Sequence, residues 1–306
     1  MAVQTLSFQD YLNRSTKIKF VDHLQESLSE TGFVRLTDHG LDSDVLNQAY
    51  ALTKELFDLP LESKNTYTLK QLGLRGYTGF GKERAKGQTT GDLKEFWHIG
   101  KDLNQDSPYF LRYPKNLWPS EIPQFRPLFC QLFAALEELA LNLLNAIGEG
   151  FSIPKEYFPS LIEDGNSVLR LIHYPAVNGM DTATRMRAAA HADINLMTLL
   201  VGATDSGLQL LNKEGKWVDI ETNPNEIVVD TGDMMALITG NALPSTVHRV
   251  INPDNSQSAR YSMPFFLHPH SDASLGRLAE FGGSNDSKAI TADQFLNQRL
   301  SENGLK

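Results

Sequence analysis

Between Val168 and Leu267 the chain breaks into short apolar runs of about four to eight residues, each closed by a turn signal. This rhythm excludes a helical bundle and favours a sheet structure with many short strands. Val168-Leu169-Arg170-Leu171-Ile172-His173-Tyr174 alternates, so Arg170, Ile172 and Tyr174 share one face and His173 points away from them. Leu208-Gln209-Leu210-Leu211 and Trp217-Val218-Asp219 flank Lys213-Glu214-Gly215, the pattern of a hairpin. Ile227-Val228-Val229-Asp230 and Met234-Met235-Ala236-Leu237-Ile238-Thr239 flank Thr231-Gly232-Asp233, which reads as two further strands and a tight turn. Short strands with a turn every ten or so residues predict a mainly β fold with flanking helices and a jelly-roll (double-stranded β-helix) core.

The first half of the chain carries a different period. Val21 to Leu28 has helical spacing ended by Gly32, and Phe33-Val34-Arg35-Leu36 follows as a strand. Asp42 or Ser43 caps a second helix that Pro60 stops. The longest helical pattern, from Ser120 to Gly148, repeats Phe125, Leu128, Phe129, Leu132, Leu136 and Leu139 at three and four. Glu137, Glu138, Asn142 and Asn145 interrupt it and oppose a membrane span. Cys130 lies inside it and reads as a small buried or half-buried thiol.

Residues 67–91, rich in Gly, Thr, Lys and Arg, read as a long irregular segment, either a lid or binding loop or plain solvated surface. Asp92 to Ile99 then alternates, with Glu95, Trp97 and Ile99 on one face and Phe96 and His98 on the other, as an edge strand would. His39 reads as a locally satisfied turn residue, and His268 and His270 as surface residues at a strand end. Thr291 caps a last helix, which either closes over a pocket or packs outside. The expected division is a single domain over 1–306: a mainly helical region over 1–165, the jelly-roll core over 166–270 and a C-terminal helix over 271–306.

A net charge of −9 opposes a nucleic-acid surface, which wants a concentrated basic face. Cys130 is the only cysteine, so no internal disulfide can form and a reducing, cytoplasmic setting is expected. The first residues lack a basic segment followed by an apolar core, and no uninterrupted apolar run approaches about 18 residues, so a membrane location is not expected.

Chemistry concentrates in His191-Ala192-Asp193, the later His248, and Arg260-Tyr261-Ser262. On a strand His191 and Asp193 share a face, and Pro244 to Ile251 alternates again, offering His248 as a third ligand. If Asn252-Pro253-Asp254-Asn255 turns the chain near position 254, Arg260 becomes the antiparallel partner of His248, with Cβ atoms about 5 Å apart. Two imidazoles and one carboxylate form the facial triad of non-haem Fe(II) oxygenases. The arginine fork and the serine hydroxyl suit a second carboxylate. The same ligands suit Zn²⁺ for hydrolysis, but a hydrolase has no need of a carboxylate clamp beside its metal.

With these residues the chain resembles the 2-oxoglutarate and Fe(II)-dependent dioxygenases of the isopenicillin N synthase-like group. The resemblance extends over nearly the whole length: Thr31-Gly32-Phe33-Val34, Asp38-His39-Gly40, Leu56-Phe57-Asp58-Leu59-Pro60 with Lys64, Arg75-Gly76-Tyr77 and His173-Tyr174-Pro175. It implies that His191, Asp193 and His248 hold Fe(II) and that Arg260, Ser262 and Tyr174 bind 2-oxoglutarate. Ile172 stands where many members carry asparagine. The strand over 92–99 and its surroundings then border a pocket for a small-molecule substrate and O₂, with Tyr77, Phe96, His98 and Arg170 as candidate substrate contacts. The implied reaction is oxidative decarboxylation of 2-oxoglutarate coupled to hydroxylation, desaturation or ring closure. Two alternatives stay open here: an Fe(II) oxidase of the isopenicillin N synthase type that uses no 2-oxoglutarate, and a metal-binding protein without turnover.

Overall fold

The alternation of the strands sorts their side chains onto two sheet faces, and this sorting decides where the site lies. The structure is a computed structural model that describes residues 3–69, 75–83, 92–176, 187–202, 207–221, 223, 225–251, 259–284 and 289–302. In chain order the elements of the first half are β1 (Thr5–Ser7), α1 (Gln9–Leu12), α2 (Lys17–Thr31), β2 (Phe33–Thr37), α3 (Ser43–Asp58), α4 (Leu61–Thr66), β3 (Gly76–Thr78), β4 (Glu95–Gly100), α5 (Phe125–Phe151) and α6 (Tyr157–Ile162). The second half adds β5 (Val168–Tyr174), β6 (Ala188–His191), β7 (Met197–Val201), β8 (Leu208–Leu211), β9 (Trp217–Asp219), β10 (Ile227–Thr231), α7 (Asp233–Ile238), β11 (His248–Val250), β12 (Arg260–Leu267) and α8 (Ala292–Glu302).

An eight-stranded sheet runs β1-β2-β10-β7-β12-β5-β4-β3, and a four-stranded sheet runs β6-β11-β8-β9. The N-terminal region is therefore more than a helical cap, because its four strands extend the large sheet at both edges. On β12, Met263, Phe265 and Leu267 join the main core, while Arg260, Ser262, Pro264 and Phe266 face the space between the sheets. On β5, Leu169 and Leu171 enter that core, while Ile172 and Tyr174 face the other way with Arg170. Period-two alternation thus gives one dry face, covered by helices, and one face that lines cavities.

The dry face is closed chiefly by α5, which packs against α2, α3, α6, β7 and β12. By length and composition α5 could cross a membrane, but Phe125, Phe129, Leu132, Leu136 and Leu143 on it are buried in the protein core. Leu132 is fully buried, and Leu132→Ala should cost about 2–5 kcal/mol of unfolding free energy, read from denaturant melts of apo-protein. A cost under about 1 kcal/mol would show that the helix does not brace the sheet. The predicted caps form: the Asp42 side chain accepts from the Asp44 and Val45 amides, and Gly32 ends α2 at φ 72°. A Cβ on Gly32 would meet the Pro244 carbonyl oxygen at 2.7 Å, so this turn needs glycine twice over.

Four sequence expectations change. Met234–Thr239 is not a strand but mostly the helix α7, whose first turn carries Asp233; a short apolar run does not distinguish a buried strand from a buried helix. The segment expected to be irregular over 67–91 contains β3, paired with β4, so β4 lies inside the sheet rather than at its edge. Residues 70–74 and 84–91, most of the expected lid, lie outside the described residues. His248 and Arg260 are not hairpin partners: β11 pairs with β6 and β8, whereas β12 pairs with β5 and β7. The chain between them passes from one sheet to the other, as jelly-roll connections do.

Candidate active site

Three donor groups converge where the small sheet meets the loop after β6. His191 and His248 are direct cross-strand partners, with ring centroids 4.5 Å apart. Asp193 lies beyond the end of β6, so the loop, and not the strand pleat, turns its carboxylate toward them. Its Oδ1 is 3.7 Å from His191 Nε2 and 3.8 Å from His248 Nε2. One ligand atom from each residue lies within 4.8 Å of the others.

The surroundings fix the chemical form of each donor. His191 Nδ1 donates to the Ala189 carbonyl at 2.8 Å and His248 Nδ1 to the Thr246 carbonyl at 3.2 Å. A carbonyl only accepts, so the protons sit on Nδ1 and both Nε2 lone pairs are free for a metal. The His191 ring is 40% exposed, yet partial desolvation, and then the neighbouring His248 imidazole, push it down to about 4. The Asp193 backbone carbonyl accepts from the Asp233 amide at 2.7 Å. Its Oδ2 accepts from the Thr198 hydroxyl, whose oxygen in turn accepts from Asn195 Nδ2 at 2.8 Å. Two imidazoles with their Nε2 atoms turned toward one carboxylate, itself held by Thr198, fit an Fe(II) facial triad. Groups that orient metal ligands typically contribute about 10–100-fold in affinity, so Thr198→Val should weaken Fe(II) by about that factor in a chelator competition. Unchanged affinity would deny Thr198 this part.

Two cavities flank the triad. The smaller, about 70 Å³, extends from His191, Asp193 and His248 to Arg260, Ser262 and Tyr174. Arg260 is 1% exposed, its guanidinium lies 5.0 Å from the Tyr174 ring centroid, and its NH1 donates to Ser262 Oγ at 3.4 Å. Ile172 faces the same space. So does Asp230, whose carboxyl is raised well above its ordinary range by burial and by Asp193.

The larger cavity, about 180 Å³, opens on the other side of His191 and Asp193 and is lined in part by His98, Arg170, Lys94, Glu83, Phe266 and Leu296. Arg170 is held on every side. Its NH1 and NH2 donate to Glu83 at 3.1 and 3.2 Å, its Nε to His98 Nε2 at 2.5 Å, and its carbon lies 4.3 Å from the Phe96 and 5.2 Å from the Phe266 ring centroids. Leu296 and Leu300 bring α8 over this cavity, and Arg299 ties the helix to Asp233 at 2.6 Å. The predicted cap is present, with Thr291 Oγ1 accepting from the Gln294 amide.

The six residues expected at the metal and the cosubstrate are thus brought together. Of the substrate candidates, His98 and Arg170 line the larger cavity and Phe96 supports Arg170 from behind. Tyr77 does not reach it: it is buried in the core on the opposite face, donating to Glu95 Oε2 at 2.6 Å. Lys64 and His173 bind the same carboxylate. His268 is not a surface residue either, since it lines the cavity and burial pushes it down to about 4. His39 accepts from the Leu41 amide, as a turn histidine does. Glu83, Asp92, Lys94 and Thr198 were not legible as site residues. Only the position of Thr198, at the start of an alternating strand soon after Asp193, hinted at one of them.

Comparison with known proteins agrees with this geometry. Residues 3–121 match the family model of the non-haem dioxygenase in morphine synthesis N-terminal region, and residues 165–269 match that of the 2OG-Fe(II) oxygenase superfamily. Proline hydroxylase buaE of Petromyces alliaceus is 32% identical, with 98% of this chain and 99% of that protein covered. A crystal structure of a 2OG-Fe(II) oxygenase family protein from Caulobacter crescentus superposes with a TM-score of 0.89 at 40% identity, covering 98% of this chain and 99% of that one. A full-length Neurospora crassa protein crystallised in complex with alpha-KG gives 0.85 at 26% identity, covering 97% and 95%. The jelly-roll sheets, the His-Asp-His triad and these matches lead to one conclusion: the chain belongs to the 2-oxoglutarate and Fe(II)-dependent oxygenases of the isopenicillin N synthase-like group.

Proposed function

We propose that this oxygenase hydroxylates a small polar molecule about the size of one ring, held in the cavity beside Arg170. The observation that carries the reading is the pair of cavities meeting at the triad, one ending on a buried arginine and the other about 180 Å³ in volume. An apolar cavity of about 150 Å³ accommodates benzene, so the larger space suits one ring with a few polar substituents. Two similar proteins point the same way: one is named a proline hydroxylase, and the Neurospora crassa protein has been crystallised with alpha-KG and thymine.

In this reading His191, Asp193 and His248 hold Fe(II), which supplies O₂ activation, with 2-oxoglutarate oxidised to succinate and CO₂ as one oxygen atom enters a substrate C–H bond. Arg260 grips the far carboxylate of 2-oxoglutarate through two parallel hydrogen bonds, and Ser262 adds a donor. Tyr174 packs along the arginine and fixes its plane. The Nδ1 bonds to Ala189 and Thr246 fix the orientation of both rings and leave their Nε2 atoms for the metal. Leu296 and Leu300 on α8 exclude water from the substrate side. Because Asp193 fills the carboxylate position, no site is vacated for chloride, and hydroxylation or desaturation is expected rather than halogenation.

The test is succinate release stimulated by a panel of candidate substrates: L-proline, thymine and other one-ring compounds against flavonoid-sized and terpenoid molecules. Stimulation confined to the one-ring set is expected. Stimulation only by multi-ring compounds would overturn the size assignment while leaving the reaction class in place.

A further inference from the structure

The larger cavity holds a carboxylate of the protein's own where a substrate carboxylate would go. Glu83 accepts from both terminal nitrogens of Arg170, and its Oε2 lies 2.7 Å from Lys94 Nζ. Lys94 is shared in turn with Asp92 at 2.9 Å. All four side chains are at least four-fifths buried. Burial opposes the ionisation of Glu83, but Arg170 and Lys94 more than offset it and hold its carboxyl well below the usual range. The Glu83 carbonyl also accepts from the Asp92 amide at 3.0 Å, so the backbone behind this carboxylate is pinned.

We infer that Glu83 sets the charge of the substrate: the cavity takes a neutral ring with hydrogen-bonding edges and turns away a carboxylate. The inference rests on reading this cavity as the substrate site. A carboxylate entering it must either displace Glu83 from Arg170 or settle beside Glu83 and Asp92. Displacement means competing with an intramolecular group at high effective concentration. Settling beside them places like charges together in a partly desolvated space, which opposes binding. A neutral amide meets neither obstacle. It can donate to the unshared lone pair of Glu83 Oε1 or to Asp92 Oδ1, and accept from a remaining N–H of Arg170 or Lys94. Arg170 then acts as a fixed donor in a balanced pair rather than as an anion receptor. Of the two named one-ring compounds in the substrate panel, a cyclic amide fits this wall and an amino-acid carboxylate does not. Arg75 also lines the cavity, where its guanidinium is packed against Gly100 and donates to Asn166 Oδ1 at 3.1 Å.

Benzamide, benzoate and benzamidinium have nearly the same shape and differ in charge, which makes them direct probes of the wall. Their affinities would be measured anaerobically by calorimetry on protein loaded with Fe(II) and 2-oxoglutarate, whose charge-transfer band reports independently that the iron site is intact. For the wild type, benzamide should bind at least about tenfold more tightly than benzoate. In Glu83→Gln, benzoate should gain about tenfold or more relative to benzamide, because the competing charge is gone. Glu83→Ala serves the same purpose should the glutamine variant fold poorly, and the wild-type ranking is decisive without either. Benzoate binding the wild type as tightly as benzamide, no measurable binding of any probe, or an unchanged ranking in folded variants would each overturn the inference. Loss of the charge-transfer band in the wild type would instead count against the cosubstrate assignment.

Discussion

His248→Ala is expected to abolish Fe(II) binding and turnover together. The variant leaves one imidazole and one carboxylate, because the ring that faces His191 across β6 and β11 is gone while the strand pairing stays. Wild-type protein should bind about one Fe(II) per chain and gain about 2.7 kcal/mol of stability when the free metal is about a hundredfold above its dissociation constant. The variant should gain almost nothing under the same conditions. Thermal melts with and without Fe(II), beside a chelator competition, measure this without relying on activity. His191→Ala should behave alike. Protein as isolated can carry Zn²⁺, because the affinity order of first-row metals does not favour Fe(II), so the metal must be stripped first. Iron affinity within about tenfold of wild type in both variants would refute the triad.

Arg260→Ala should weaken 2-oxoglutarate by at least about tenfold while iron stays bound. Removing one partner of a buried charge pair at a binding site costs about 2–5 kcal/mol, and about 1.4 kcal/mol is one decade. Arg260 is almost fully buried and stands on a different sheet from His248, so its loss touches the cosubstrate cavity and not the ligands. Arg260→Lys should recover only part of the affinity, as an ammonium cannot reproduce the planar fork. Ser262→Ala should cost less, about 1.5–3 kcal/mol for one hydrogen bond to a charged group. Anaerobic titration of the Fe(II) protein with 2-oxoglutarate, followed through the charge-transfer band, reads all three. Equal affinities across the series would mean that the arginine serves the fold rather than the cosubstrate.

Local order was largely written along the chain. The alternation of Val168–Tyr174 told which side chains face the cavities, the Asp42 cap and Gly32 stop marked helix ends, and the spacing His-x-Asp with the distal His and Arg-x-Ser picked out residues that the fold brings around one cavity. These features depend on close neighbours, where period and capping act directly. The α7 segment escaped because its burial removes the polar face that distinguishes a helix from a strand. The pairing of His248 with Arg260 failed for a related reason, since a turn signal tells that the chain reverses but not which sheet receives it.

The meeting of distant parts came from packing alone. Glu83 and Lys94 lie near each other in sequence, yet their role appears only when β5 sets Arg170 between the Phe96 and Phe266 rings and against that carboxylate. Tyr77 left the site because β3 registers on β4 with its side chain toward Glu95. His268 entered the cavity wall because the end of β12 is covered rather than exposed. The metal, the cosubstrate and the reaction class could be read from residue types and spacing, because each depends on ligands that few other chemistries require. The shape and charge of the larger cavity depend on which charges are buried against one another, and burial belongs to the packed chain, not to any stretch of it.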